Sequence, residues 1–153
     1  MSFLVLRWIH ILSAVLLLGA GVGSAFILWR ANRERNIHAI RFALKYAILA
    51  DWLFTLPPIV LLPVTGYLMM RISDIPFSQP WVWISLVLFV FAGMCWLPAA
   101  VLQYWMTLTA DQAEDTSRLP ERYWRYERLW LYLGVAAFPA VIAILTLMIF
   151  KPV

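Results

Sequence analysis

Four long apolar stretches alternate with short polar segments along the chain. They run from Phe3 to Trp29, from Phe42 to Met70, from Trp81 to Leu108 and from Leu129 to Phe150. Each is long enough to cross a hydrocarbon core of about 30 Å, which takes about 20 residues as a helix. None alternates strictly between apolar and polar positions, as a β-barrel strand does. The pattern predicts an all-α membrane protein, a four-helix bundle that forms one domain over residues 1–153.

The composition also indicates that most of the chain is surrounded by lipid and not by water. Of the 153 residues, 64% are hydrophobic and 13% are charged, against about 45–50% and about 25% in soluble domains. A water-soluble domain of this size cannot bury so much apolar surface. Dense charge follows the first stretch, between Trp29 and Arg35. This order is typical of a stop-transfer flank and not of a signal peptide.

Lysine and arginine are unevenly distributed between the connecting segments. Arg7, Arg71 and Lys151 lie at one end of the apolar stretches. The other nine lie in or beside the first and third connections: Arg30, Arg33, Arg35, Arg41, Lys45, Arg118, Arg122, Arg125 and Arg128. Because cytoplasmic segments are rich in these residues, we expect both termini on the non-cytoplasmic side of a bacterial inner membrane. The net charge of +4 then indicates contact with anionic lipid headgroups and not with nucleic acid.

The third connection, from Thr109 to Arg128, is the longest. It ends in a basic and aromatic segment, residues 122–128. Such a segment is typical of an interfacial helix that lies along anionic headgroups.

His10 is the most informative single residue for function. It shares a helical face with small and polar residues, among them Ser13, Gly21 and Ser24, so this face is expected to point into the bundle. A neutral imidazole inside a membrane protein can bind haem iron or copper, or relay protons. The alternative is a structural histidine that is hydrogen-bonded to a neighbouring helix.

Four further residues lie near the same outer level as His10. Arg7 and Arg71 would pair with the propionates of a haem, since guanidinium suits carboxylate; otherwise they extend to the interface as ordinary boundary residues. Met69 and Met70 could supply a second axial ligand or a copper ligand, and packing is the simpler interpretation of both.

Asp51 is the acidic residue of the second apolar stretch. A carboxylate inside a membrane is costly and needs a partner. The arginine-rich connections supply candidates for an ion pair, and a hydrogen bond is the other structural option. The functional alternative is that the Asp51 carboxyl group takes up protons.

Prolines and glycines are expected to shape the bundle. Pro57, Pro58 and Pro63 are expected to break the second helix near mid-membrane, and Pro98 and Pro139 to kink the third and fourth. Kinked helices favour an internal cavity. The small residues Gly19 and Gly23 permit either close helix packing or contact with a flat macrocycle.

Several stretches of the chain resemble a bacterial family of four-helix integral membrane proteins without an assigned activity. The stretches are Leu6–His10, Trp29–Arg33, Ala50–Thr55, Cys95–Pro98 and Arg122–Arg125. The resemblance covers most of the chain and implies the fold, not a reaction.

The start of the chain is also distantly similar to two better-understood groups. One is the haem-linked protoporphyrinogen oxidase of bacteria, whose first helix carries a histidine followed by small residues. The other is a copper-resistance membrane family with a comparable opening. The first resemblance carries over only His10, as a haem ligand, because that oxidase has a basic residue in its third helix and the stretch from Trp81 to Leu108 has none.

Three functions are therefore considered. The leading hypothesis is a redox protein that binds haem b or another porphyrin through His10. The alternatives are a copper or small-solute permease and a non-catalytic accessory subunit that binds membrane partners or further copies of itself. Hydrolytic and nucleotide-binding motifs are absent, and the single cysteine, Cys95, lies within an apolar stretch.

Overall fold

The computed structural model describes residues 2–113 and 118–152, and the regular structure in these ranges is helical. Helix α2, a π-helical turn and α3 follow one another without interruption, so the five α-helices make four long apolar spans. This confirms the predicted all-α membrane architecture. The elements are α1 (Phe3–Glu34), α2 (Ile37–Ala50), the π turn (Asp51–Thr55), α3 (Leu56–Ile72), α4 (Pro80–Asp111) and α5 (Glu121–Phe150).

The helices extend beyond the apolar stretches into the polar segments. Only Arg35 and Asn36 separate α1 from α2, and Arg35 adopts the left-handed conformation, with φ of 52°. The Asn36 side chain accepts hydrogen bonds from the His38 and Ala39 amides, which caps α2. Residues 122–128 form the first turns of α5, so the prediction of a separate interfacial helix there is wrong. A polar helical turn is stable outside the lipid when it continues a long apolar helix.

The prolines of the second span do not break it, contrary to the prediction. The chain widens into the π turn, where the Leu56 amide donates to the carbonyl of Asp51, five residues earlier. Pro57 and Pro58 consequently fall in the first turn of α3, where missing amide protons are best tolerated. The prolines of α4 and α5 lie inside helices that continue past them.

The helices form two groups that meet near the first and third connections. In one group α1 packs on α2 and α3, and in the other α4 packs on α5; α2 and α4 join the two groups. No comparable packing joins α3 to α4 or α5 within the described ranges. The joint contains the most deeply buried side chains, including Leu28, Ile40, Leu44, Met106 and Tyr123.

Two polar contacts strengthen the joint between the groups. Arg41 of α2 donates from Nε to the carbonyl of Ala110, at 3.0 Å, and from Nη2 to that of Ala113, at 2.6 Å. These bonds go to carbonyls at and just beyond the C-terminal end of α4, where the regular pattern of helix hydrogen bonds ends. The first and third connections therefore lie at the same end of the molecule, as their charges indicate. The side of the membrane that this end faces stays a prediction.

Large apolar side chains cover the outside of the helices. Leu4, Trp8, Trp52 and Ile149 are among many that are more than half exposed. Soluble monomers rarely expose continuous apolar surface on this scale. The exposed surface is therefore the surface that faces lipid.

Candidate functional site

His10 lies where α1 packs against α3. Its Nδ1 atom is 2.8 Å from Oγ1 of Thr65, a side chain that is 3% exposed. The ring also lies against Gly66, where an added Cβ would be 3.4 Å from Cε1 of His10. The absence of a side chain at Gly66 thus lets the imidazole sit directly on the backbone of α3.

The surroundings of Thr65 determine which nitrogen of His10 carries the proton. Oγ1 of Thr65 is 2.6 Å from the carbonyl oxygen of Leu61 and 3.3 Å from that of Leu62. Carbonyl oxygens only accept, so the single hydroxyl proton of Thr65 points to them. If the Thr65 proton points to these carbonyls, Oγ1 accepts from His10, and this arrangement favours the tautomer with the proton on Nδ1.

A neutral imidazole carries one N–H, so Nε2 of His10 holds an unshared electron pair. Within the described residues, the hydrogen bond of the His10 ring is the one that joins Nδ1 to Thr65, and none is formed at Nε2. The site therefore presents a ring that is fixed on one side and available as a ligand on the other.

The other residues suggested from the sequence lie towards the same end of the spans. Arg7 and Arg71 are exposed and form no hydrogen bond or ion pair with any described residue. Met69 and Met70 are half-buried, and Met69 lies one turn beyond Thr65 on the same face of α3. The structure brings His10 together with Thr65 and Gly66.

No group of three histidine, cysteine, aspartate or glutamate side chains comes together among the described residues. A three-ligand copper site of that kind is therefore not formed within residues 2–113 and 118–152. A metal held by His10 would therefore need its further ligands from a thioether, a bound molecule or another chain.

The small residues of α1 do not mediate close packing within the chain. A Cβ added at Gly19 or Gly23 would meet no atom within 4 Å. These glycines line an open groove of about 160 Å³ between α1 and α2, together with Ala43, Ala47 and other residues. The groove is exposed to the membrane.

Asp51 has neutral partners and no ion pair among the described residues. Thr55 donates its hydroxyl to Oδ1, at 2.9 Å, and Gln103 of α4 donates from Nε2 to Oδ2, at 3.2 Å. The amide oxygen of Gln103 in turn accepts from the indole of Trp130, at 3.1 Å. An arginine from the connecting segments, proposed as one possible partner, is not used.

Sequence reasoning did not identify Thr65 or Gln103 as partners. Both are polar residues inside apolar stretches, and this feature of the sequence could have marked them as candidate partners. Pairing them with His10 and Asp51 requires the relative register of two helices, and that depends on packing rather than on the pattern of either helix alone.

A family model described as predicted integral membrane protein (DUF2269) matches residues 4–152. This confirms the resemblance to a family of integral membrane proteins. The comparisons with curated proteins and with solved structures find no match.

Proposed function

The chain belongs to the DUF2269 family of predicted integral membrane proteins, and within that family we propose that it is a redox protein that binds haem b. The observation that supports this is the Thr65 hydrogen bond, which leaves Nε2 of His10 free. Histidines that bind a metal typically donate their other ring N–H to an acceptor, which fixes the tautomer and the ring orientation. His10 has this arrangement before any ligand is bound.

Other residues at this end of the spans carry the chemical groups that a haem site would use. Arg7 and Arg71 are exposed cations and would hold the propionates, since guanidinium pairs well with carboxylate. Met69 or Met70 would serve as a second axial ligand. When bound, haem would supply one-electron exchange, while Thr65 holds the His10 ring in place.

We place the protein in a bacterial inner membrane with the His10 end on the non-cytoplasmic side. The opposite end carries guanidinium groups stacked on indole rings, Arg33 over Trp29 and Arg35 over Trp124, both at 5.5 Å. Such pairs suit the headgroup region, where aromatic rings and cations both reside. Anionic headgroups of the cytoplasmic leaflet are the partners that we propose for this end.

The test is the visible spectrum of protein that has been expressed with ample haem and purified in detergent. We expect a Soret band in the wild type and its loss in His10→Ala. His38→Ala is the matched control, because His38 is exposed at the opposite end, and it should keep the band. A wild type without the band would refute haem binding, and a band that survives in His10→Ala would refute the assigned ligand.

The open groove between α1 and α2 supports a second candidate, a non-catalytic accessory subunit. Grooves lined by glycine and alanine accept a helix at short distance, and no helix of the described chain fills this one. A complex of defined stoichiometry without a chromophore, lost in Gly23→Leu and kept in Gly134→Leu, would favour this function. Gly134 is the control because it is also open but lies on α5, away from the groove.

A further inference from the structure

A polar network lies inside the membrane at the joint between the two helix groups, away from His10. Asp51 is its acidic member and begins the π turn. The nearest cation on its own helix is Lys45, six residues away, or about 9 Å along the axis at 1.5 Å per residue. Within the described residues no lysine, arginine or histidine forms an ion pair with Asp51.

The orientation of the Gln103 amide follows from its second partner. The indole nitrogen of Trp130 only donates, so the Gln103 oxygen that meets it accepts. The NH₂ group of Gln103 must then face Asp51. With Thr55 on the other oxygen and the Trp96 side chain beside the carboxyl, the ionised form is held by neutral donors alone.

The π turn supplies a hydrogen-bond acceptor for the Thr55 hydroxyl when Asp51 is protonated. The amide of Leu56 bonds to the Asp51 carbonyl, and residue 57, the next amide position, is a proline without an N–H. The carbonyl of Trp52 is therefore left without an amide donor. It lies three residues before Thr55, within the reach of a threonine hydroxyl.

From this geometry we propose that Asp51 is a proton-binding site within the membrane. The proton binds at Oδ1 as an O–H group that donates to Oγ1 of Thr55. The Thr55 hydroxyl rotates and donates to the free carbonyl of Trp52 instead of to the carboxylate. Gln103 continues to donate to Oδ2, so the carboxyl group and the Thr55 hydroxyl keep partners in both states, and the Trp52 carbonyl gains one when the proton binds.

Proton binding has a consequence for the joint between the helix groups. The Gln103–Asp51 bond connects the second span to α4 and, through Trp130, to α5. Hydrogen bonds to an ionised group are roughly twice as strong as neutral ones. Proton uptake therefore weakens this connection, and proton release strengthens it.

The elements packed against the π turn bring no competing charge to Asp51. Its interacting side chains are Thr55, Gln103 and Trp96, all neutral. On the flanking helices, the titratable residues closest in sequence to Asp51 are Lys45 and Tyr46 of α2 and Tyr67 of α3. On α4, Cys95 and Tyr104 are the titratable residues on either side of Gln103 closest to it in sequence, and α1 has none between His10 and Arg30. A pH response of this site would therefore report Asp51 itself.

Labelling with dicyclohexylcarbodiimide in native membranes tests the proposal, since this apolar reagent reacts with protonated carboxyl groups inside lipid. Peptide mass spectrometry should find the label on Asp51, at a level that rises as the pH is lowered. The label should be absent from Asp51→Asn and from Glu34 and Glu121, which are exposed. Labelling that does not change with pH, or no labelling of Asp51 at any pH, would overturn the proposal.

Thr55→Val provides a sharper test because it removes a donor that favours the ionised form. A hydrogen bond to a charged group is equivalent to about one to two pH units of proton affinity, so the pH of half-maximal labelling should rise by that amount. Thr146→Val is the matched control, since Thr146 bonds only to a carbonyl of its own helix, α5. Equal shifts in both variants, or none in Thr55→Val, would contradict the proposed hydroxyl exchange.

A second measurement does not depend on the Thr55 variant being stable. Infrared difference spectra of the wild type between high and low pH should contain a C=O stretch of a protonated carboxylic acid that Asp51→Asn lacks. A spectrum in which this band is missing from the wild type would also overturn the proposal.

Discussion

The most informative single substitution at the His10 site is Thr65→Val. Valine keeps the branched shape of threonine and replaces the hydroxyl with a methyl group. The variant loses the acceptor that lies 2.8 Å from Nδ1 of His10 and the 2.6 Å bond to the Leu61 carbonyl. The imidazole is then free to rotate and to move its proton to Nε2, the nitrogen that would bind iron.

The expected magnitude follows from the role of Thr65 as the partner of a ligand. Losing such a partner typically lowers metal affinity by about 10–100-fold, which is equivalent to about 1.4–2.8 kcal/mol. A net hydrogen bond contributes about 0.5–1.5 kcal/mol, so one bond accounts only for the lower end of this range, and the rest would come from the lost orientation and tautomer of the ring. Thr65→Ser keeps the oxygen and should bind haem with nearly wild-type affinity.

Haem titration of the detergent-purified apoprotein, followed by Soret absorbance, measures the dissociation constants of these variants. Thr146→Val controls for the loss of a threonine hydroxyl elsewhere in a membrane helix. Wild-type affinity in Thr65→Val would refute the reasoning, as would equal losses in Thr65→Ser and Thr65→Val.

Two substitutions and one fusion test other contacts and the topology. Gly66→Leu should abolish haem binding and Gly66→Ala should weaken it less, because an added Cβ would lie 3.4 Å from Cε1 of His10, in van der Waals contact, and a larger side chain would displace the ring; titration separates the two. Tyr123→Phe should destabilise the fold by about 1–3 kcal/mol, because it removes the buried hydroxyl that donates to Oδ1 of Asn32, at 2.7 Å. Thermal unfolding should show this, with Tyr132→Phe, at an exposed position, unchanged. Alkaline phosphatase fused to the C-terminus should be active if both termini are non-cytoplasmic; an active cytoplasmic reporter there would contradict the topology.

The four spans could be predicted because hydropathy reports directly on the need to cross lipid. The ends of the helices could not, since hydropathy reports the lipid boundary and not the last hydrogen-bonded turn. Helix α2 begins at Ile37 and α5 at Glu121, in segments that are polar enough to resemble connections. Their first turns are stable because each continues a long apolar helix.

The second span shows a different limit of sequence reasoning. Adjacent prolines at 57 and 58 indicate a break only if the preceding residues keep the α-helical register. One wider turn at Asp51–Thr55 changes that register and lets the helix continue. The π turn is accompanied by two hydrogen bonds to Asp51, one from Thr55 in the same turn and one from Gln103 of α4, and the latter partner is 52 residues away in the sequence.

At the candidate site, the sequence indicated which histidine to consider but not its chemical state. His10 stands out because ionisable residues are rare in membrane helices. Its tautomer depends on Thr65, 55 residues away, and on the carbonyls that take the Thr65 proton. These partners are set by the packing of α1 on α3.

The proton position on His10 is the central claim, and nitrogen NMR of ¹⁵N-histidine-labelled apoprotein tests it most directly. With His10→Ala used to assign the signals, the account predicts a protonated Nδ1 and an unprotonated Nε2 for the neutral ring. Addition of haem should then perturb the Nε2 signal most strongly. A neutral ring that is protonated at Nε2 and bare at Nδ1 would contradict the account.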